Sequence, residues 1–203
     1  MVSISIVTPS FNQRAFLDAC LESVAAQRVQ PREHVIYDPG SSDGSRDAAA
    51  AYADRHDWAT LVAEPDDGQV DAINRGLAAA TGDVLTWLNS DDSYVDDRVL
   101  ETVAAAFDAN PDVDVVYGGG EYVSPEGKKL KNAFVHRDPE ALPNLLHNSI
   151  GILQPALFFR RSLFETVGGL NPFYNLSLDY DYWVRFAKAG ARWHHVDRLF
   201  ARA

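Results

Sequence analysis

Two adjacent carboxylates, Asp91 and Asp92, have the clearest chemical potential in this sequence. They directly follow a predicted strand, where neighbouring negative charges repel one another unless they are solvated, protonated or bridged by a cation. Their hard oxygen atoms suit Mg²⁺ or Mn²⁺, which commonly bind between one or two carboxylates and the phosphates of a substrate. The alternative is that both residues cap a helix over residues 94–109, where negative charge is favourable.

A second acidic group, formed by Asp179 and Asp181, opens a predicted helix over residues 179–189. A purely structural interpretation accounts for the two acids, since negative charge at a helix N-terminus complements the helix dipole. That interpretation leaves the neighbouring Tyr180, Tyr182 and Trp183 unexplained. Aromatic faces beside carboxylates suit a carbohydrate, whose C–H faces stack while its hydroxyl groups need acceptors. We therefore expect the two acidic groups to face one cleft.

The first half of the chain must supply the elements that position these acids. Short β-branched runs alternate there with longer Ala-rich segments of helical period, a pattern that predicts an α/β fold with a mainly parallel sheet and helices on both faces. The predicted strands cover residues 3–9, 34–38, 59–63, 84–88 and 113–117. The predicted helices cover residues 13–27, 42–56, 70–80 and 96–109, with Ser42 as the cap of the second.

Polar loops follow four consecutive predicted strands. Ligands bind beyond the carboxyl ends of the strands in open α/β sheets, so these loops are predicted to meet at one edge. Turn formation explains any single loop, but its repetition at four strand ends favours a binding site. The loops are Thr8-Pro9-Ser10-Phe11-Asn12, Asp38-Pro39-Gly40-Ser41-Ser42-Asp43-Gly44, Glu64-Pro65-Asp66-Asp67-Gly68 and Asn89-Ser90-Asp91-Asp92.

The second half is less regular. Gly118-Gly119-Gly120 predicts a turn or bulge after the fifth strand, and residues 121–131 predict a hairpin around Pro125-Glu126-Gly127. A short helix is expected over residues 139–146, a strand over 153–160, a helix capped by Ser162 and ended by Gly168, and a last strand over 192–196. The chain ends at Ala203 directly after this strand, so we expect a C-terminal segment to be missing.

Composition excludes several classes of protein. The 203 residues carry a net charge of −11, which repels a nucleic-acid backbone and disfavours DNA or RNA binding. One cysteine, Cys20, can form neither an internal disulfide nor a Cys-rich zinc site, which indicates a cytoplasmic location. No apolar run approaches the ~18 residues of a membrane span. No Gly-x-x-x-x-Gly-Lys loop and no Gly-x-Gly-x-x-Gly after the first strand are present.

Taken in order, these motifs resemble the family 2 inverting glycosyltransferases of the GT-A fold, which use nucleotide-sugar donors. The resemblance covers nearly the whole chain, up to the helix with Trp183. It implies a single domain over residues 1–203, with a nucleotide-sugar half at 1–117 and an acceptor and catalytic-base half at 118–203. Besides the four loops, the matching motifs are Asp71-Ala72-Ile73-Asn74-Arg75-Gly76, Gly82-Asp83, Gln154-Pro155, Phe158-Phe159-Arg160-Arg161 and the Asp179 group.

The resemblance also implies roles for individual residues. Asp38 would bind the base, Asp92 would hold Mn²⁺ or Mg²⁺ on the diphosphate, and Asp91 would contact the ribose or assist the metal. Asp179 would be the general base, with Asp181 as its substitute. The remaining donor-side residues are Thr8, Pro9, Ser10, Asn12, Gly68 and Ser90, and the acceptor-side residues are Gln154, Arg160 and Trp183. A further metal-facing His is expected beyond the last strand, where this chain has no residue.

The implied reaction is attack by an acceptor hydroxyl on the anomeric carbon, opposite the leaving nucleoside diphosphate. The donor is expected to be a UDP-sugar, and the acceptor a carbohydrate or lipid-linked hydroxyl in cell-surface polysaccharide synthesis. Such work takes place on the cytoplasmic face of a membrane, with at most peripheral contact. Two alternatives remain open: a Mg²⁺-dependent phosphohydrolase or nucleotidyltransferase, and a non-catalytic module that binds nucleotide-sugars.

Overall fold

A computed structural model describes residues 1–135, 137, 151–174 and 177–203. The helix predicted over residues 139–146 lies outside this part of the chain. The strands are β1 (Ile4–Pro9), β2 (Glu33–Tyr37), β3 (Ala59–Val62), β4 (Val84–Trp87), β5 (Ser93–Tyr94), β6 (Val115–Val123), β7 (Lys129–Asn132), β8 (Leu157–Arg160) and β9 (Trp193–Arg202). The helices are α1 (Arg14–Ala25), α2 (Ser45–Arg55), α3 (Gln69–Ala79), α4 (Val99–Ala109), α5 (Arg161–Val167) and α6 (Leu178–Lys188).

All nine of these strands belong to one mixed sheet, in the order β3-β2-β1-β4-β8-β6-β9-β5, with β7 paired to β6. The four strands β3, β2, β1 and β4 are mutually parallel, as the strand–helix alternation predicts. Strand β8 is antiparallel to both β4 and β6, so β6 runs in the same direction as β4, and β9 is parallel to β6. Six of the nine strands therefore point towards one edge. The α/β fold class is confirmed.

Helices cover both faces of the sheet. One core joins the sheet to α3, α5 and α6 through side chains such as Ile73, Leu163 and Phe186. A second core, on α1 and α4, includes Val24 and Phe107, and a third joins α1 to α2. Because the helices cover the two faces, the carboxyl edge of the sheet is formed mainly by loops.

The predicted helix caps are wrong. Helix α2 begins at Ser45 after a left-handed Gly44, and Asp43 accepts hydrogen bonds from the backbone N–H and the hydroxyl of Ser45, so Ser42 caps nothing. Helix α5 begins at Arg161, before the predicted cap Ser162, without a side-chain cap. Helix α4 begins only at Val99, after strand β5. The alternative that Asp91 and Asp92 cap this helix is therefore wrong.

Strand β6 continues where a turn or bulge was predicted. It runs through Gly118, Gly119 and Gly120, with register shifts against β9 on either side of Gly119, so the bulge is present and the turn is not. These glycines permit close packing: a Cβ atom at Gly118 would lie 2.6 Å from the Phe200 ring. The predicted hairpin is present as β6 and β7. The final strand is longer than predicted, since β9 extends to Arg202.

Within the described ranges, no helix has both the length and the apolar character needed to cross a bilayer.

Candidate active site at the carboxyl edge of the sheet

A cleft of about 720 Å³ opens where the carboxyl ends of β1, β2, β3 and β4 meet. Each of the four predicted loops contributes to its wall, which explains why polar residues recur at these strand ends. Of the donor-side residues predicted from the sequence, five line the cleft: Pro9, Ser10, Gly68, Ser90 and Asp91. The other lining residues are Phe11, Gln13, Pro39, Pro65, Asp66, Gln69, Ala72 and Asn89.

Polar atoms without partners mark the β1 and β2 side of this edge. Asp38 is fully buried, and its Oδ1 atom accepts hydrogen bonds from the backbone N–H groups of Gly40 (3.0 Å) and Ser41 (2.7 Å). Its other carboxylate oxygen, Oδ2, is buried and has no hydrogen-bond partner among the described residues. The buried hydroxyl of Ser10 is unpartnered in the same sense. Of the two residues, Ser10 lines the cleft and Asp38 does not, so the Ser10 hydroxyl is the unpartnered group that faces a ligand in the cleft.

The loop before α3 brings the backbone close to the cleft. Gly68 has a φ angle of +100°, a conformation that L side chains rarely adopt, and its N–H donates to Asp66 at 3.0 Å. Arg75 anchors the same loop by donating to the carbonyl of Pro65 and to the carboxylate of Glu64. The sequence-based placement of Gly68 at this edge is matched by its position in the cleft wall.

Asp92 is nearly buried beside the cleft, with 7% of its surface exposed, while Asp91 is exposed and lines the cleft. Burial, together with the nearby charge of Asp91, raises the pKa of the Asp92 carboxyl to about 7, against the opposing effect of a hydrogen bond from Asn89. A buried carboxylate of this kind gains most from a positive charge nearby. A divalent cation supplies such a charge.

The side chain of Asn89 connects Asp92 to two other elements. Its Nδ2 group donates to Asp92 Oδ2 at 3.1 Å and to Gln154 Oε1 at 3.0 Å, and its Oδ1 atom accepts from Gln69 Nε2 at 2.9 Å. Gln154 in turn donates to the carbonyl of Trp87 at the end of β4. The carboxylate is therefore held by a connected network of amides.

Two predicted donor-side residues have other contacts. The hydroxyl of Thr8 is buried and lies 2.9 Å from His34 Nε2, in the interior between β1 and β2, and Thr8 is not part of the cleft wall. Asn12 adopts a positive φ of 53°, and its Oδ1 atom accepts from the backbone N–H of Ser42. Thr8 therefore belongs to the core, and Asn12 stabilises the β2–α2 loop through its hydrogen bond with Ser42.

Helix α6 approaches the same edge of the sheet from one face. The Trp183 ring stacks on Trp87, at the end of β4, with the centroids 5.5 Å apart. One turn later, Phe186 packs on Phe159, which pairs with the earlier β4 residue Leu85. The helix therefore runs back along β4, and its N-terminus points towards the edge that carries Asp91 and Asp92.

The two acids of α6 differ in their contacts. Asp179 lies at the first turn, partly buried, and accepts a hydrogen bond from the backbone N–H of Tyr180. Asp181 forms an ion pair with Arg185 at 3.0 Å, and Arg185 also donates to the carbonyls of Val167 and Gly169. Asp181 is therefore engaged in an ion pair within its own helix.

Two of the three predicted acceptor residues do not fit that role. Trp183 is 1% exposed and belongs to the core, because Trp87 covers it. Arg160 pairs with Val84 at the start of β4, and its guanidinium donates to the carbonyls of Val113, Phe107 and Pro111. It therefore lies at the amino edge of the sheet, opposite the cleft. Gln154 lies at the site through its contact with Asn89.

A second cavity of about 480 Å³ adjoins the first and shares Gly68 and Gln69 with it. Its wall includes the acidic side chains Asp67 and Asp71, and Pro172 from the segment before α6. This segment also carries exposed aromatic residues, with Phe173 84% and Tyr174 40% exposed. Nothing in the sequence pattern marked this cavity, because Pro172 and Asp71 meet only in the folded chain.

The donor set at Asp91 and Asp92 fits a hard divalent cation only with help from a ligand. Within the described ranges, no group of three or more His, Cys, Asp and Glu residues could hold a metal ion by itself. Mg²⁺ and Mn²⁺ commonly accept one or two carboxylates together with substrate phosphates. One buried and one exposed carboxylate beside a cleft match that arrangement.

Gln69 and Asn89 were not singled out from the sequence. Asn89 belongs to the predicted loop after the fourth strand, and Gln69 follows Gly68 directly. Their positions in the sequence were informative, because Gln69 is next to Gly68 and Asn89 is next to Ser90, and both neighbours are predicted donor-side residues. Their amide contacts, however, join residues that are distant in sequence, and only the fold shows them.

Comparison with known proteins identifies the class to which this fold and site belong. The sequence profile of glycosyl transferase family 2 matches residues 5–168. The chain therefore belongs to glycosyl transferase family 2, and the family resemblance inferred from the motifs is confirmed. A transferase enzyme is supported at the level of the family.

Individual relatives agree with this assignment. The chain is 35% identical over 182 residues to the PGL/p-HBAD biosynthesis glycosyltransferase of Mycobacterium tuberculosis, which covers 89% of this chain and 68% of that protein. Its fold resembles that of TarS 1–349 from S. aureus in complex with UDP (TM-score 0.78, 20% identity, 99% of this chain and 60% of that one). It also resembles the mannosyltransferase PcManGT from Pyrobaculum calidifontis in complex with GDP-Man and Mn²⁺ (TM-score 0.71, 20% identity, 100% and 56%). The chain thus spans about two thirds of its mycobacterial relative and less of the solved structures.

Proposed function

We propose that this chain transfers a sugar from a UDP-sugar donor to a hydroxyl acceptor, with inversion at the anomeric carbon. The observation that carries this proposal is the meeting in one cleft of Ser10, whose buried hydroxyl has no partner among the described residues, with Asp91. The buried carboxylates of Asp38 and Asp92 directly neighbour the lining residues Pro39 and Asp91 in the chain. A nucleoside diphosphate offers hydrogen-bond donors on its base at one end and phosphate charge at the other. The complexes of TarS with UDP and with UDP-GlcNAc support the choice of nucleotide.

On the donor side, Asp38 would accept an N–H group of the base through Oδ2, the oxygen without a partner. Ser10 and Gly68 would contact the nucleotide, and Ser90 and Asp91 would face the ribose and the diphosphate. Residues 1–117 would accordingly form the donor half of the molecule, and residues 118–203 the acceptor half. The donor half holds all of the residues that line the 720 Å³ cleft.

Asp92 and Asp91 would hold Mn²⁺ or Mg²⁺ together with the phosphate oxygens. When bound, the cation neutralises the negative charge that develops on the departing phosphate. The amide of Asn89 orients the Asp92 carboxylate by a hydrogen bond to Oδ2. The complex of PcManGT with GDP-Man and Mn²⁺ supports a divalent ion at this fold's donor site.

On the acceptor side, Asp179 would take the proton of the attacking hydroxyl, a step typically worth ~10²–10⁴-fold in rate. The second cavity shares Gly68 and Gln69 with the donor cleft, so a hydroxyl entering there would reach the donor sugar. The exposed rings of Phe173 and Tyr174 offer stacking surfaces for a carbohydrate. We therefore propose a carbohydrate or lipid-linked acceptor, used at the cytoplasmic face of a membrane to build surface polysaccharide.

Replacing the proposed base should separate binding from catalysis. We expect Asp179→Asn to lower transfer at least 100-fold while the affinity for UDP with Mn²⁺ stays within about twofold, because only the proton acceptor is lost. Transfer is measured by product formation from UDP-sugars, and binding by calorimetry.

Asp181→Asn is the matched control, two residues along the same helix. It removes the partner of Arg185 and is expected to lower thermal stability more than transfer. Transfer by Asp179→Asn at the wild-type rate would refute the assignment of the base. Hydrolysis of the donor without transfer would favour a phosphohydrolase, and binding without turnover would favour a nucleotide-sugar-binding module.

A further inference from the structure

The lysines of this chain are concentrated in one hairpin. Three of its four lysines, Lys128, Lys129 and Lys131, lie on or directly before β7, in a chain whose net charge is −11. Lys129 pairs with Glu121 at 2.8 Å, whereas Lys128 and Lys131 form no ion pair with the described residues. The Lys131 ammonium lies 5.4 Å from the centre of the Tyr122 ring. The hairpin also carries Glu121 and Glu126, so residues 121–132 have three lysines against two acids and a net charge of +1 in a chain of net charge −11.

Apolar side chains are exposed on the same hairpin. Leu130 is 64% exposed, Phe134 67% and Tyr122 39%. Lysines on an edge strand are a common device against unwanted strand pairing, and that explanation would account for the charges alone. It does not account for the exposure of Leu130, a large apolar side chain between two lysines of β7. Basic and apolar side chains together are typical of segments that insert into the headgroup region of a membrane.

Backbone pairing connects this hairpin to the candidate active site. Ser93 directly follows the Asp91 and Asp92 loop and pairs with Arg202 of β9. Arg202 pairs with Glu121 of β6, and Glu121 pairs with Asn132 of β7. Three steps between neighbouring strands amount to roughly 15 Å. The hairpin and the cleft therefore share one end of the molecule.

We propose that the β6–β7 hairpin docks this protein on an anionic lipid surface, with Leu130 and Phe134 inserted among the headgroups and Lys128 and Lys131 paired with lipid phosphates. Charge complementarity supports this partner, because Lys128 and Lys131 are exposed and form no ion pair with the described residues, whereas the chain as a whole has a net charge of −11. Docking would orient the cleft towards the membrane. The docking itself does not depend on the proposed sugar transfer.

The test uses vesicles of phosphatidylcholine alone and with phosphatidylglycerol. The wild-type chain should sediment with the anionic vesicles and dissociate from them at high salt. It should not sediment with the neutral vesicles. Lys128→Glu with Lys131→Glu should weaken binding at least tenfold. The matched control is Arg46→Glu with Lys188→Glu, which makes the same change of charge at exposed positions on α2 and α6 and should keep most of the binding.

A position-specific probe provides an independent readout. Cys20 is buried and is the only native cysteine, so Leu130→Cys or Lys188→Cys carries the one accessible thiol for an environment-sensitive fluorophore. Anionic vesicles should shift the emission to the blue at position 130 and leave it unchanged at position 188.

The proposal is overturned by any of three results: equal binding to neutral and anionic vesicles, equal loss in both charge doubles, or no shift at position 130. A dimer that Leu130→Ser dissociates, without vesicle binding, would assign the hairpin to self-association instead. None of these outcomes depends on sugar transfer, so failure here leaves the active-site proposal intact.

Discussion

A single amide, that of Asn89, holds the proposed metal-binding carboxylate in place. It donates to Asp92 and Gln154 and accepts from Gln69, so residues from α3, the β4–β5 loop and the segment before β8 meet at one side chain. Groups that orient a metal ligand through hydrogen bonds influence affinity without touching the metal. Asn89 is accordingly a positioning residue for Asp92.

Removing this amide should weaken donor binding. We expect Asn89→Ala to lower the affinity for UDP in the presence of Mn²⁺ about 10- to 100-fold, because Asp92 loses its hydrogen bond and its orientation. Calorimetric titration measures the effect. Asn132→Ala, at an exposed amide on β7, is the control and should bind as the wild type does. Unchanged affinity in Asn89→Ala would exclude the positioning role.

At this scale, the sequence is informative where neighbouring residues share a function. The carboxylates Asp91 and Asp92 are adjacent, so their chemistry was visible without a fold. For Trp183 the sequence left two roles open, burial at helical spacing with Tyr182 and Phe186 and contact with an acceptor, and its packing against Trp87, which is distant in sequence, decides for burial. The residue type alone does not show whether an aromatic side chain is exposed or buried, because that depends on the side chains packed against it.

Helix α3 packs closely against the sheet at Gly76. A Cβ atom there would lie 2.5 Å from Val7 Cγ1 and 3.2 Å from the Tyr37 ring. A glycine inside a helix normally costs about 0.5–1 kcal/mol relative to alanine, so its presence needs a reason. The reason is the short distance between α3 and strands β1 and β2.

Gly76→Ala should therefore destabilise the protein, although alanine favours helix formation. We expect the free energy of unfolding to fall by about 1–3 kcal/mol, as in other overpacked cores. Denaturant unfolding measures it. Ala78→Gly, at an exposed position of the same helix, calibrates helix propensity and should cost about 1 kcal/mol. A stabilised Gly76→Ala variant would show that α3 can move away from the sheet.

The elements of the first half could be predicted because their signals are local. Alternation of β-branched and Ala-rich segments marked β1 to β4 and the helices between them to within a few residues. Strand β6 could not be predicted in full, since three glycines in a row normally end a strand. Its continuation depends on contacts with Phe200 and Leu153 from later segments, for which only glycine leaves room.

The stability of the whole molecule is expected to depend on a buried histidine. His34 is fully buried between β1 and α2, with Thr8 at Nε2 and Tyr52 at Nδ1. Burial lowers the pKa of His34 to about 3 from an ordinary value of 6.5, and the nearby His56 adds to the effect. Between pH 6.5 and 3, the histidine therefore binds a proton in the unfolded chain but not in the folded chain. The free energy of unfolding consequently falls as the pH decreases over this range.

His34→Phe should remove this dependence. Over that range, the slope of unfolding free energy against pH should decrease by up to about 1.4 kcal/mol per pH unit, while stability at pH 7 falls because Thr8 and Tyr52 lose a partner. Urea unfolding at pH 7, 6 and 5 measures both. Tyr52→Phe keeps the imidazole and is the control, since it should lose stability and retain the slope. The same slope in His34→Phe and the wild type would contradict this account.

The stacked indoles of Trp87 and Trp183 join the end of β4 to the helix that carries Asp179. Two such rings held at 28° to one another share their ultraviolet transitions, and their emission and circular dichroism depend on the angle between them. The pair lies beneath the site rather than in it. Any tilt of α6 as substrates arrive would consequently be recorded in the protein's own near-ultraviolet spectrum, without a label.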